Sequence, residues 1–155
     1  MSSHEGCNGC TGCQVNARRQ YRASPIESTP PLVDLTNPQP VAARRETRRL
    51  LAGGGLTQDA EEGLVGAVSE VVTNAGLYGG RPIRLFGWLA PGEAVMTITD
   101  SGQGPEHPEA GLRPEVRDPG EGGFGLWLAH QLCSEVILGR HDHGFTVRLV
   151  ARNQL

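Results

Sequence analysis

Three short constellations in this 155-residue chain carry residue types able to do chemistry. Glu70 and Asn74 stand four apart in SEVVTNA, so on a helix they project from one face. Asp100, Gly102 and Gly104 follow an apolar run in ITDSGQG, and Gly120, Gly122, Gly123 and Gly125 punctuate GEGGFG. An Asn amide oxygen is a hard ligand suited to Mg²⁺. A carboxylate one turn before it can orient water or a hydroxyl as a general base. A carboxylate at a strand end can accept a hydrogen bond from an exocyclic amine such as that of adenine. Glycines beside it let the backbone approach a flat ring. A glycine-rich turn at a helix N-terminus offers free N–H groups and a positive dipole end to phosphates. Each string alone also has a plainer reading: a solvated polar face, an ordinary turn, a chance glycine pattern. GEGGFG is not a Rossmann fingerprint, because it follows a loop and not a strand.

The elements that must hold these residues can be read from periodicity. Leu64, Val68, Val71, Val72 and Ala75 recur at helical spacing and predict a central helix from Asp59 to Leu77, capped by Thr57 or Asp59. Glu70 and Asn74 lie about 130° round that helix from the apolar stripe. An earlier helix is expected from Val41 to about Leu51, stopping at Gly53-Gly54-Gly55. Ile83–Leu89 and Ala94–Thr99 read as strands joined at Pro91-Gly92. Residues 101–123 lose all periodicity, as a functional loop or lid does. A third helix opens at Gly123 or Phe124 and carries Leu126, Trp127, Leu128, Leu132 and Cys133. Glu135–Leu138 and Phe145–Val150 read as a closing hairpin around His141–Gly144. The pattern predicts an α/β two-layer sandwich: a mixed, mainly antiparallel sheet with helices on one face. Residues 1–40 read as an irregular arm in which Leu32–Leu35 can form a short edge strand, and residues 41–155 as one domain.

Composition narrows the function. The net charge of -3 is uneven: residues 1–57 hold seven Arg against four acids, and residues 58–155 hold seven Arg against thirteen. The acidic larger part argues against nucleic acid as the main partner. Arg44, Arg45, Arg48 and Arg49 have helical spacing and read as a solvated helix face or as a docking surface for an acidic partner. All fourteen basic residues are Arg. Without Lys, a Gly-Lys-Ser/Thr phosphate loop and Schiff-base chemistry are excluded. No apolar run reaches the length of a membrane span, and the start lacks the apolar core of a signal peptide. A cytoplasmic protein with no membrane partner is the expectation.

Taken together, in this order and spacing, the three constellations resemble the GHKL ATPase superfamily, which shares the Bergerat nucleotide-binding fold. Its N box, E-x-x-x-N-A, is matched by Glu70 to Ala75. Its first glycine box, D-x-G-x-G, is matched by Asp100, Gly102 and Gly104. Its second is matched by Gly120 to Gly125. SEVVTNA, ITDSGQGP and GGFGLWLAHQLC…TVRL are most similar to the anti-sigma-factor serine kinases, over about Val41 to Leu149. The resemblance implies Glu70 as general base, Asn74 as the Mg²⁺ holder and Asp100 as the adenine-amine acceptor, with Gly102 and Gly104 lining its pocket. It implies phosphate contacts at Gly120, Gly122, Gly123 and Gly125, and an ATP lid over residues 105–121 in which Arg113 and Arg117 can reach a phosphate. It implies ATP and Mg²⁺ as cofactors. It implies phosphorylation of a Ser or Thr of an antagonist protein, together with binding of a sigma factor. Relatives are often dimers, so a homodimer is left open. Tyr78 stands where the family often has His, and Phe124 where relatives often have a polar or basic residue. No phosphoacceptor-His helix pair is present, which argues against a complete sensor histidine kinase.

Cys7, Cys10 and Cys13 lie outside that resemblance. Two-residue gaps let three thiolates converge on one zinc or on three corners of an iron–sulfur cluster. His4, Cys133, an exogenous ligand or a second chain are candidates for a fourth ligand; a merely oxidisable arm is the alternative. Two other functions stay open beside the kinase. One is a nucleotide-gated protein-binding module without phosphotransfer. The other is a metal or redox sensor with a vestigial ATP site.

Overall fold

The computed structural model describes residues 25–104 and 124–153. A 3-10 turn, Pro25–Ser28, leads into strand β1 (Val33–Thr36). Helices α1 (Pro40–Leu51) and α2 (Gln58–Tyr78) follow, then strands β2 (Arg84–Ala90) and β3 (Glu93–Asp100). Helix α3 (Phe124–Leu132) precedes strands β4 (Glu135–His141) and β5 (Gly144–Arg152). The sheet order is β1-β2-β3-β5-β4, and every neighbouring pair is antiparallel. The expected two-layer α/β sandwich is present.

The elements start and stop for local reasons. The Thr57 side chain accepts a hydrogen bond from Ala60 N at 3.2 Å, the N-cap that opens α2. Gly79 closes it, donating its N–H to Ala75 O. The expected apolar stripe of α2 is buried and is widened by Val65 and Ala67. It packs with Ile98, Met96, Val147 and Leu149 of the two central strands in one core. Alternate residues of β2, β3 and β5 point to the other face, where Trp88, Val95 and Val150 form a second, smaller cluster with Ile26 and Phe86.

The α1 arginines are held by neighbours. Arg44 donates to Ser69 Oγ on α2 at 2.8 Å, Arg45 and Arg49 share Glu46, and Arg48 faces Glu62 at 3.9 Å. Residues 25–36, grouped with the arm by composition, sit on the sheet. β1 pairs with β2 from Val33 to Thr36. Thr29 O accepts from Trp88 Nε1 at 2.9 Å. Among the described residues, no helix is long and apolar enough to cross a membrane.

Candidate functional site

The end of α2 and the end of β3 meet. Asp100, the last residue of β3, is 7% exposed, and its carboxylate faces the helix layer against Gly79. A Cβ on Gly79 would lie 2.5 Å from Asp100 Cγ, and one on Gly102 would lie 2.9 Å from Asp100 Oδ1. No larger residue fits at either position without moving the carboxylate. Ser101 N donates to Gly80 O, and Ser101 Oγ to Arg81 O, each at 2.8 Å. The turn after α2 and the turn after β3 are thereby one unit.

Two backbone N–H groups aim at the carboxylate. Gly102 N donates to Oδ1 at 2.7 Å, and the Gly80 N–H bonds it as well. Burial pushes the Asp100 carboxyl above the usual range, while those two hydrogen bonds and the nearby His141 pull the other way. A carboxylate has about four acceptor positions, so two N–H donors leave room for a ligand's amine.

The β4–β5 hairpin closes the far side. Phe145 stands opposite Asp100 in the β3–β5 ladder. Gly144 has φ +144°, and a Cβ there would collide with the Asp100 carbonyl oxygen. Gly104 has φ +75°, and a Cβ there would collide with the Phe145 ring. Arg140 Nε donates to Gln103 O, tying β4 to the turn after β3. On the opposite face of the sheet, Thr146 Oγ1 lies 3.0 Å from His141 Nε2 and 2.8 Å from Thr99 Oγ1.

Glu70 and Asn74 are half-buried on α2, one turn apart. Among the described residues, no hydrogen bond or ion pair occupies either side chain. Gly79 lies five residues beyond Asn74, about 8 Å along the axis. Asn74 therefore stands within about two turns of the cradle, and Glu70 one turn further back. An unengaged Asn amide one turn from an unengaged carboxylate fits Mg²⁺, a hard cation that takes few protein ligands and keeps its waters. The buried carboxylate with free acceptor capacity fits an adenine amine.

Of the second glycine box, Gly125 lies in the first turn of α3. Gly120, Gly122 and Gly123 fall outside the described residues, as do the expected lid with Arg113 and Arg117. Cys7, Cys10, Cys13 and His4 fall outside them too. Cys133 packs against the core, and burial pushes its thiol up to about 12. A metal ligand must be a thiolate, so this environment opposes Cys133 as the fourth ligand. Among the described residues, no group of three His, Cys, Asp or Glu is gathered to hold a metal. Gly79, Gly144 and Arg140 belong to the site and escape sequence reasoning. Gly79 reads as a plain helix stop, and the other two reach Asp100 only through the sheet order.

Comparison with known proteins agrees with this fold. The model of the histidine kinase-like ATPase domain matches residues 35–151. No curated protein matches the chain by sequence. Among solved structures, the RsbU and RsbW domains of Rv1364c from Mycobacterium tuberculosis are 26% identical with a TM-score of 0.55. That match covers 80% of this chain and 32% of that one, so this chain corresponds to a minority of its neighbour's length. The histidine kinase domain of the Erythrobacter litoralis EL346 blue-light activated histidine kinase is 20% identical, with a TM-score of 0.46 and coverage of 84% and 65%. The histidine kinase domain of the E. coli osmosensor EnvZ is 20% identical, with a TM-score of 0.45 and coverage of 82% and 92%. The matched model runs from β1 into β5 and spans both the α2 face and the Asp100 cradle, so this chain belongs to the histidine kinase-like ATPase domain family, within the GHKL superfamily.

Proposed function

We propose that the chain is an Mg²⁺-ATP-dependent regulatory kinase that phosphorylates a Ser or Thr of an antagonist protein and also binds a sigma factor. The contact of Gly79 with Asp100 is the observation that carries this reading. It joins the C-terminal end of α2, the helix that carries Glu70 and Asn74, to a buried carboxylate flanked by glycines. The 26% identity to a chain with an RsbW domain supports the kinase branch.

In this reading Asp100 accepts a hydrogen bond from the adenine amine, and Gly102 and Gly104 let the backbone lie against the ring. Gly120, Gly122, Gly123 and Gly125 turn N–H groups toward the phosphates. Asn74 holds the Mg²⁺. Bound Mg²⁺-ATP supplies the transferable γ-phosphoryl group with part of its charge neutralised. Glu70 takes the proton from the partner's hydroxyl as its oxygen bonds to that phosphorus and the bond to the ADP oxygen breaks. The nucleophile belongs to the partner. The protein works in the cytoplasm, and the Cys7–Cys10–Cys13 arm adds a zinc or iron–sulfur site that couples redox state to this activity.

The test uses γ-labelled ATP in lysate of the source organism, with the purified chain or its Glu70→Gln variant. A small protein labelled on Ser or Thr only by the unmodified chain is the expected result. Equal labelling by the two chains, with ATP binding intact in both, would leave a nucleotide-gated binding module in place of the kinase.

A further inference from the structure

The face of the sheet turned away from the helices holds a small buried cluster of its own. Trp88, Val95 and Val150 on that face are 7%, 0% and 0% exposed. Ile26, in the turn Pro25–Ser28, packs on them. The next residue, Glu27, bonds Arg148 Nε through Oε2 at 3.1 Å, with both side chains almost fully withdrawn from water. Arg148 also faces Glu135 at 3.7 Å. Thr29 supplies its carbonyl to the Trp88 indole. These contacts use an apolar side chain, an adjacent carboxylate and one main-chain acceptor.

The covering turn also bonds within itself. Thr29 N and Thr29 Oγ1 both donate to Ile26 O, and Ser28 Oγ donates to Pro25 O. Pro25, Pro30 and Pro31 bracket it and have no N–H to offer a ladder. Main-chain pairing with the sheet resumes at Leu32, whose N–H reaches Gly87 O. The face lies inside residues 35–151, the matched domain, and the turn lies before it. Arg148 decides what can sit there. Arg148 keeps Glu135 at 3.7 Å when Glu27 leaves, but its Nε–H then loses its acceptor in a buried setting, so an occupant that brings an acid as well as an apolar residue is favoured.

We infer that this covered face is a docking surface for a peptide segment carrying an apolar residue followed directly by an acidic one, and that residues 25–29 occupy it as an internal competitor. A partner with that pair displaces the turn, places its carboxylate on Arg148 and its apolar side chain against Trp88. This surface is separate from the nucleotide site.

The test uses the full chain and a fluorescein-labelled peptide, SPIESTPP, copied from residues 24–31. A tethered segment has an effective concentration on the order of millimolar, so the unmodified chain binds the peptide only near that level. The full-chain variant Ile26→Asp with Glu27→Gln lacks the competitor and should bind at least about tenfold more tightly. A peptide carrying the same two changes should not bind. Hydrogen exchange on the unmodified chain gives a second measurement, usable if the variant does not fold. Amides of residues 26–29 should exchange through a local opening, well ahead of β2 and β3, and faster again with peptide present. Exchange of 26–29 only together with β2 and β3 would overturn the inference. So would a folded variant that ignores the peptide. A variant that dimerises in light scattering without taking peptide would give the face to a second copy and overturn the peptide assignment.

Discussion

Replacing Asp100 with Asn separates the two jobs the structure gives that residue. Its carboxylate accepts N–H groups from Gly102, at 2.7 Å, and from Gly80. An Asn keeps one acceptor oxygen where the carboxylate has two, so the two N–H groups must share it or one faces the amino group. A buried donor left unpaired costs about 1–3 kcal/mol. Removing a charge that burial disfavours returns part of that. The net loss is therefore about 1–2 kcal/mol, a fall of roughly 3–8 °C in Tm for a chain of this size. The nucleotide reading adds a separate loss, because a hydrogen bond to a charged acceptor is worth about 1.5–3 kcal/mol. ATP affinity should then fall about 10- to 150-fold, read by titration calorimetry below the Tm of both proteins.

The pH dependence carries opposite signs in the two readouts. The folded carboxyl titrates above its unfolded value, so its stability contribution is fully present below the unfolded pKa. That contribution is lost as pH rises through the folded pKa. Nucleotide binding needs the ionised form and so weakens as pH falls through the raised pKa. Both dependences should vanish in Asp100→Asn. A variant that loses Tm while keeping its ATP affinity would make Asp100 a structural staple and refute its role at the base.

Two further outcomes test the packing. A Cβ on Gly63 would collide with the Leu132 backbone carbonyl, whereas nothing lies within 4 Å of one on Gly76. Gly63→Ala should destabilise by about 1 kcal/mol or more, overpacking outweighing the helix-propensity gain, while Gly76→Ala should stabilise by about 0.5–1 kcal/mol. Urea midpoints of the two variants check the contrast, and equal shifts would refute it. The Cys133 thiol, pushed up to about 12, should resist iodoacetamide at pH 8 in the folded chain. It should react on the order of a thousandfold faster once unfolded, where cysteine returns to about 8.5. Peptide mass spectrometry resolves its labelling from that of Cys7, Cys10 and Cys13.

What was legible in the sequence follows from the range of each signal. Helix α2 was readable because its stripe repeats every turn and Gly79-Gly80 ends it. β3 was readable to within a residue, and the meaning of Asp100 at its end came from the glycines directly after it. The cradle itself was not readable. Gly144 acts on Asp100 only because β5 lies beside β3, a pairing across more than forty residues. Glu27 was hidden in a Ser- and Pro-rich stretch whose composition reads as solvated, and its partner is 121 residues away. The one local hint was Arg148 itself, a charge inside the otherwise apolar run FTVRLVA.

The crossing of α2 and α3 has a mechanical consequence. Leu132 presses its backbone on Gly63 and its side chain on Gly66, at 3.3 Å from where a Cβ would stand. That end of α3 is a fulcrum. The nine residues of the helix make a lever arm of about 13 Å, so a tilt of ten degrees moves the glycine-bearing tip by about 2 Å while the fulcrum stays still. Three residues past Leu132 stands Glu135, the carboxylate beside Arg148 on the opposite side of the sheet. Load applied at the tip therefore passes through the fulcrum into the edge strand and across to the far face, with only Cys133 and Ser134 between.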